Sequence, residues 1–213
     1  AASNGDTEQL TRVLSLPGID PDFRNSDGYT PLHVAAAQEH VECARLLINA
    51  KATVDLLDSD DGSSPLLVAC RRGQVDSVRL LLEAKAQVNF TDAHGQTGLT
   101  LCAVGWKEPT GQTIARMDED KNVACARLLL EARATVHYAD QEGNTPLHVA
   151  CIAPTMEKGH AMRKYIRVLL DANADPNALA MHWLPTPLFL AAHEEALTTT
   201  QRIRQQQQQQ QQQ

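Results

Sequence analysis

The chain has 213 residues, of which 43% are hydrophobic and only 4% aromatic, and its formal net charge is −7. A negative chain repels phosphate backbones, so direct nucleic-acid binding would need a local basic patch, and no run of the sequence forms one. No apolar run approaches the ~18 residues needed to span a bilayer, which argues against membrane insertion.

Two short phrases recur along the chain. The first has five copies: Thr30-Pro31-Leu32, Ser64-Pro65-Leu66, Thr97-Gly98-Leu99, Thr145-Pro146-Leu147 and Thr186-Pro187-Leu188. The second follows it four times and contains the equivalent arginines Arg45, Arg79, Arg127 and Arg167. Repetition at a nearly fixed period is typical of a solenoid, in which each unit packs on its neighbours.

Each unit predicts a pair of helices. In the first complete unit, Thr30 is a predicted N-cap and Pro31 suits the first helical turn, so a short helix begins there. Apolar residues at helical spacing from Val41 onward predict a second helix that ends near Ala50. A glycine two residues before each Thr or Ser predicts a tight turn with positive φ. These glycines are Gly28, Gly62, Gly95 and Gly143.

The spacing between the two phrases locates two insertions. From the Thr or Ser to the arginine there are 15 residues in the first two units, but 30 in the third and 22 in the fourth. We therefore expect loops at 105–121 and 152–161, between the two helices of each unit. They should lie side by side on the edge away from the turns, and such insertions often carry function.

The units resemble ankyrin repeats, whose signature is Thr-Pro-Leu-His-x-Ala on a 33-residue period. The resemblance rests mainly on 28–36 and 143–150 and extends over residues 1–197. It implies an all-α ankyrin-repeat solenoid of stacked helix-turn-helix units with β-turn tips. We expect about four complete repeats with partial repeats at both ends, near 1–24, 25–57, 58–91, 92–139, 140–179 and 180–197. A glutamine-rich tail or helix extension, 198–213, follows.

Three departures from the family pattern stand out. The family usually has glycine just after the second helix, where this chain has Lys51, Lys85, Arg133 and Asn173. A non-glycine residue in the left-handed conformation costs about 1 kcal/mol, less for Asn. In the third unit Gly98 replaces the proline, and in the fifth Trp183 stands near the expected tip glycine.

The sequence predicts no catalytic, cofactor or metal site. In this family the histidine of the first phrase, here His33 and His148, is expected to hydrogen-bond backbone near the next turn. All five cysteines lie in apolar helical phrases, so we expect buried, reduced thiols in an intracellular protein. They are Cys43, Cys70, Cys102, Cys125 and Cys151.

The resemblance implies that partners bind the turn tips and the neighbouring first helices. The predicted tip contacts are Asp27, Tyr29, Asp60, Asp61, Ser63, His94, Gln96, Glu142, Asn144 and Trp183. Acid in the first two tips favours a protein partner with a basic surface, and aromatic residues are common binding anchors. Trp106 in the first insertion is a second candidate contact. The arginine column is interpreted as a solubilising stripe or as a strip that docks an acidic partner.

The sequence therefore predicts a non-enzymatic protein–protein interaction module or scaffold subunit. The alternative is a regulatory ankyrin segment of a larger enzyme or channel, whose active part lies outside this chain.

Overall fold

The computed structural model describes residues 1–104, 119–152, 159–179 and 186–187. Within them a 3-10 turn, Ala2–Asn4, precedes nine α-helices. These are α1 (Thr7–Leu14), α2 (Pro31–Ala37), α3 (Val41–Asn49), α4 (Pro65–Arg72), α5 (Val75–Glu83), α6 (Gly98–Val104), α7 (Glu119–Glu131), α8 (Pro146–Ile152) and α9 (Gly159–Asp171). No helix in this part of the chain is long and apolar enough to cross a membrane.

The helices form two layers, as the repeated phrases predict. The first helices of successive units, α2, α4, α6 and α8, pack side by side, and the second helices, α1, α3, α5, α7 and α9, form a parallel layer. Each first helix also packs on the second helix of its own unit. The turns that join one unit to the next therefore project from one edge of the stack.

The predicted start of each first helix is confirmed. The Thr30 hydroxyl accepts a hydrogen bond from the backbone N–H of His33, and Pro31 occupies the first turn, where its missing N–H is harmless. Ser64 caps α4 in the same way through the N–H of Leu67. Local sequence alone thus sets where these short helices begin.

The core is an aliphatic ladder to which each complete unit contributes two buried leucines at equivalent positions. One comes from the first phrase and one from the second, and burying each stabilises the fold by roughly 2 kcal/mol. They are Leu32, Leu47, Leu66, Leu81, Leu99, Leu129, Leu147 and Leu169. Buried alanines such as Ala35, Ala69 and Ala126 let the helices approach closely.

The predicted boundaries of the two insertions need correction. Helices α7 and α9 have 13 residues each, whereas α3 and α5 have nine. The last residues of each predicted loop, 119–121 and 159–161, are helical, and Ile152 is the last residue of α8. Trp106 and the rest of these loops lie outside the described residues, as do Trp183 and the tail, 198–213.

The extension of α7 brings Lys121 within reach of the first complete unit. Its Nζ lies 3.3 Å from Oε2 of Glu39, in the turn between α2 and α3. The other carboxylate oxygen of Glu39 accepts from the backbone N–H of Asp76, at the start of α5. Glu39 adopts a left-handed φ of 58° and joins three consecutive units.

Gly98 replaces proline because the third unit packs tightly at this point. A Cβ on Gly98 would lie 3.2 Å from Sγ of Cys70 and 3.2 Å from Cδ1 of Leu129. Nearby, the hydroxyl of the buried Tyr165 donates to the carbonyl of Leu99. In the other complete units the position of Tyr165 holds a smaller residue, such as Cys43. A larger side chain therefore fills the core here.

Candidate functional site

Each tip is closed by an Asn or Asp side chain. In the fourth complete unit, Oδ1 of Asp140 accepts from the backbone N–H groups of Glu142 (3.0 Å) and Asn144 (2.8 Å). The equivalent residues in the preceding tips are Asn25, Asp58 and Asp92. The sequence-based prediction did not include this structural role for these residues. Their constant place, three or four residues before the tip glycine, was the available signal of a structural role.

The second tip is one residue longer than the others. Four positions separate Asp58 from Gly62, against three in the other tips, and this accounts for the longer interval between the first two phrases. Oδ1 of Asp58 accepts from the N–H groups of Asp60, Asp61 and Gly62 at 3.0–3.1 Å. The extra residue leaves Asp60 exposed on this tip.

Hydrogen bonds join the tips into a continuous row. The N–H of Ala93 donates to the carbonyl of Asp61 (2.7 Å), and the N–H of Gln141 donates to the carbonyl of His94 (3.2 Å). In the first tip, Nη2 of Arg24 donates to the carbonyl of Leu57 (2.6 Å). The tips are therefore held in register as one surface.

A second set of bonds ties the bases of the tips together. Oδ1 of Asp22 accepts from the N–H of Thr53 (2.8 Å), and Oδ1 of Asp55 accepts from the N–H of Gln87 (3.0 Å). In the same way, Oδ1 of Asn89 accepts from the N–H of Thr135. These residues stand at equivalent places in successive units, so the ladder follows the repeat.

His33 has the structural role that the resemblance implies. Its Nε2 lies 3.0 Å from the carbonyl oxygen of Ser63 in the next tip, and its Nδ1 contacts the N–H and hydroxyl of Thr30. Because the carbonyl can only accept, Nε2 carries the hydrogen. Burial lowers the pKa of His33 to about 4, so the ring is neutral at pH 7.

In the second complete unit a leucine, Leu67, replaces this histidine, and Arg71 joins the tips instead. Nη1 of Arg71 lies 2.6 Å from Oδ2 of Asp61, and Nη2 lies 3.2 Å from Oδ2 of Asp92 in the following tip. Nη2 also donates to the hydroxyl of Ser63. The second and third tips are thus joined by an ion pair rather than by a neutral imidazole.

The carboxylates of the second tip differ in how readily they ionise. Burial and the neighbouring Asp61 raise the pKa of Asp58, and its Oδ2 is buried with no hydrogen-bond donor. Burial opposes ionisation of Asp61, but Arg71 outweighs it and the pKa of Asp61 is lowered. Of the four acids predicted as contacts, Asp61 is therefore paired inside the tips, whereas Asp27, Asp60 and Glu142 stay exposed.

The predicted contact residues fall into three groups. Four are exposed, namely Asp27, Asp60, His94 and Glu142, and three are half-buried, namely Tyr29, Asp61 and Gln96. Ser63 is 0% and Asn144 5% exposed, which corrects their assignment as surface contacts. Both lie inside because they precede an N-cap residue and fill the base of a tip. The ring of Tyr29 packs edge-on against His33, with ring centroids 5.9 Å apart.

The other candidate side chains also have defined places. The four predicted arginines of the second helices are exposed. All five cysteines are buried, as predicted, and none is in a disulfide within the described chain. Over the same residues, no group of three or more His, Cys, Asp or Glu side chains is arranged to hold a metal ion.

Stacked helical hairpins with hydrogen-bonded tips define a repeat protein of the helix-turn-helix solenoid class. The family model for "Ankyrin repeats (3 copies)" matches residues 1–92, and that for "Ankyrin repeat" matches 142–180, together more than half of the chain. An ankyrin repeat domain from Acinetobacter baumannii AYE is similar in structure, with a TM-score of 0.73 and 28% identity, over 91% of this chain and 88% of that one. The chain belongs to the ankyrin repeat family.

Curated relatives share a shorter stretch of sequence. Cortactin-binding protein 2 from Dasypus novemcinctus is 40% identical over 58 residues, and the Mus musculus protein is 38% identical over 60 residues. These matches cover 27% and 28% of this chain, and the chain spans about 4% of the length of either relative. Ankyrin repeats are protein–protein interaction modules, and folds of this class are typically non-enzymatic.

Proposed function

We propose that this chain is a non-enzymatic interaction module or scaffold subunit whose turn tips bind a protein partner with a basic surface. The observation that carries the proposal is the continuous hydrogen-bonded row of tips, which presents exposed side chains from successive units. Among the predicted contacts, Asp27, Asp60, His94 and Glu142 are exposed on this row. The names of the cortactin-binding relatives, which describe protein binding, are consistent with it.

Rigidity is the physical advantage of this surface. Binding loses free energy when loops and side chains must be ordered, so a surface that is already ordered keeps more of its contact energy. The bonds from Asp61 to Ala93 and from His94 to Gln141 fix the backbone before any partner arrives. Specificity then depends on which side chains each tip exposes.

The electrostatics favour a basic partner, though with fewer charges than the sequence suggests. Asp61 and Asp92 are paired with Arg71, and Asp58 is buried. The carboxylates that remain exposed are those of Asp27, Asp60 and Glu142. Exposed charges of one sign mainly increase the association rate and select against partners of the same sign.

The test begins with crosslinking and mass spectrometry in native extract, which identifies the partner and the crosslinked residues. The affinity of the purified partner is then measured by calorimetry for wild type and for Asp27→Lys with Asp60→Lys. We expect the tip variant to bind at least tenfold more weakly, because two attractive charges become repulsive. The matched control, Glu83→Lys with Glu131→Lys on the second helices, should stay within twofold of wild type. If the two double variants weaken the affinity for the partner equally, the proposal is wrong.

One observation supports the alternative of a regulatory segment in a larger enzyme or channel. The curated relatives are long proteins in which the matched ankyrin stretch is a small part. The parent open reading frame decides between the two functions, because a catalytic or pore domain in the same chain would favour the alternative. Trp106 remains a predicted second contact, and Trp106→Ala in the same calorimetric assay tests it.

We also propose that the protein is intracellular. Five buried thiols in a chain of 213 residues suit a reducing, intracellular environment, where disulfides rarely persist.

A further inference from the structure

We propose that the side of the stack formed by the second helices is a second binding surface, and that it takes an acidic protein segment. Six cations in two rows form this surface, which we call the basic rows. Lys51, Lys85 and Arg133 make one row, and Arg45, Arg79 and Arg127 make the other.

The first row stands in a strained backbone conformation. Lys51, Lys85 and Arg133 follow the second helices with φ of 70°, 69° and 66°. This left-handed region suits glycine, and an ordinary L-residue there costs about 1 kcal/mol. The chain thus places a cation at this strained position in three consecutive units.

The backbone at each of these positions closes the preceding helix, as where the N–H of Lys51 donates to the carbonyl of Ile48, but no side-chain contact within the described residues offsets the strain. Glu39 has the same kind of φ, but its carboxylate contacts both Lys121 and the backbone of Asp76. The side chains of Lys51, Lys85 and Arg133 are exposed, and none makes a hydrogen bond or ion pair with the described part of the chain. Local strain without an internal contact is typical of positions kept for binding.

The second row lies on the same second helices, earlier along each helix. Each arginine stands six residues before its partner, which corresponds to about 9 Å along a helix. Adjacent units are about 10 Å apart, so the rows extend over roughly 20 Å. Arg45 lies 3.7 Å from Glu42 in an exposed pair, whereas Arg79 and Arg127 form no ion pair with any described residue.

The charge pattern favours an acidic protein segment over a nucleic acid. Exposed Glu83 and Glu131 alternate with the basic rows, and the chain carries a net charge of −7, so a uniform line of phosphates would be repelled in part. A peptide with separated carboxylates can place them on the cations and avoid these glutamates. The basic rows form no continuous run in the sequence, because the fold assembles them from residues 34 and 48 positions apart; the repeats identify the arginine column, and the structure adds the row of Lys51, Lys85 and Arg133.

The helix dipole provides a rival explanation for the first row. A cation near a helix C-terminus gains about 0.3–1 kcal/mol, which is similar to the strain. The two explanations differ in what glycine should do. If the cations serve binding, glycine relieves strain and weakens binding; if they serve the dipole, glycine lowers stability and leaves binding unchanged.

The experiment uses a fluorescein-labelled 20-residue polyglutamate peptide as the probe. Its fluorescence anisotropy is followed against the full chain at 20 and 150 mM NaCl. We expect Lys51→Gly with Lys85→Gly to weaken binding at least fivefold and to keep or raise the midpoint of urea unfolding. The control, Arg12→Gln with Lys164→Gln, removes the same charge from exposed sites outside the rows and should change the affinity less than twofold.

Four results would overturn the proposal. The glycine variant could bind as tightly as wild type, or its urea midpoint could fall. The control could weaken binding as much as the glycine variant, which would indicate net charge alone. A 20-nucleotide oligothymidylate could bind more tightly than the peptide, which would indicate a nucleic-acid surface instead.

Discussion

A single buried histidine shows how the tips depend on protonation state. Nε2 of His33 donates to the Ser63 carbonyl, while Nδ1 must accept from the backbone N–H of Thr30. A protonated ring has two donors and no acceptor, so it would oppose the second contact. This role was predictable through the resemblance to ankyrin repeats that the Thr-Pro-Leu-His phrase carries.

We expect His33 to make the protein less stable as the pH falls. Its folded pKa, about 4, lies below the ordinary value of 6.5, so the unfolded chain binds the proton more readily between these values. Stability is then complete above pH 6.5 and decreases toward pH 4, by about 2 kcal/mol at pH 5 for this residue. Urea unfolding at pH 7 and pH 5 measures it. The variant His33→Gln should be less stable at pH 7 and lose less between the two pH values; an equal loss would contradict the assignment.

In the second complete unit, which lacks the histidine, Arg71 joins the two neighbouring tips instead. It connects Asp61 to Asp92, whose side chain is fully buried. The sequence did not predict this contact, because nothing in the local phrase indicates that a helix residue reaches two neighbouring tips. It also changed the candidate site, since Asp61, one of the expected surface charges, is paired with Arg71.

Substituting Arg71 should therefore be costly. Arg71→Gln leaves the buried carboxylate of Asp92 without its cation, and we expect a loss of about 2–3 kcal/mol in the free energy of unfolding. Arg45→Gln removes an exposed arginine on the second helix and should cost less than about 0.5 kcal/mol. Urea titrations of both variants at pH 7 provide the comparison. Similar losses would mean that Arg71 is only a surface residue.

At the scale of helices, the third unit departs from the two units before it in the start of its first helix and in the length of its second. It begins at Gly98 where its neighbours have proline, and its second helix is four residues longer than α3 and α5. The caps and most helix starts followed from the phrases. The extension of α7 did not, because an insertion has no repeat pattern from which its helical part could be identified.

Restoring the family proline at Gly98 should destabilise the protein. The added ring atoms would crowd Cys70 and Leu129, and overpacking of this kind costs about 1–3 kcal/mol. Combining Gly98→Pro with Cys70→Ala opens space and should recover at least about 0.5 kcal/mol beyond additivity. Thermal and urea unfolding of the two single variants and the double variant give the coupling. A gain in stability from Gly98→Pro alone would show that the contact is easily relaxed.

For the whole molecule, the fold was the most predictable property and the charged surfaces the least. The recurring phrases specify helix caps, core leucines and tip glycines, and each acts locally or between adjacent units. The surface charge depends on which charged side chains are buried or paired within the tips. Ser63 and Asn144 looked like surface residues, and Lys51, Lys85 and Arg133 looked like isolated departures, until their positions across units were known.

Because the core is closed to solvent, we expect the cysteine thiols to be unreactive. All five cysteines are buried, and burial raises the pKa of Cys43. The hydrogen bond with Cys102, together with burial, raises the pKa of Cys125. For Cys102 the hydrogen bond with Cys125 lowers the pKa, but its hydrogen bond with Cys70 and its burial outweigh this effect, so the pKa is raised. We expect almost no reaction with Ellman's reagent in the native state and five reactive thiols per chain in urea. Reaction rates with and without urea measure this. Rapid modification of a thiol in the native protein would show local opening at that helix.

The contact between Glu39 and Lys121 changes how the stack should come apart. A solenoid with bonds only between adjacent units can unzip from either end, one hairpin after another. Here a carboxylate in the first complete unit binds both the second and the third. Pulling on the chain ends should therefore meet a small added resistance where the third hairpin separates from the first, because an exposed ion pair of this kind contributes at most about 1 kcal/mol.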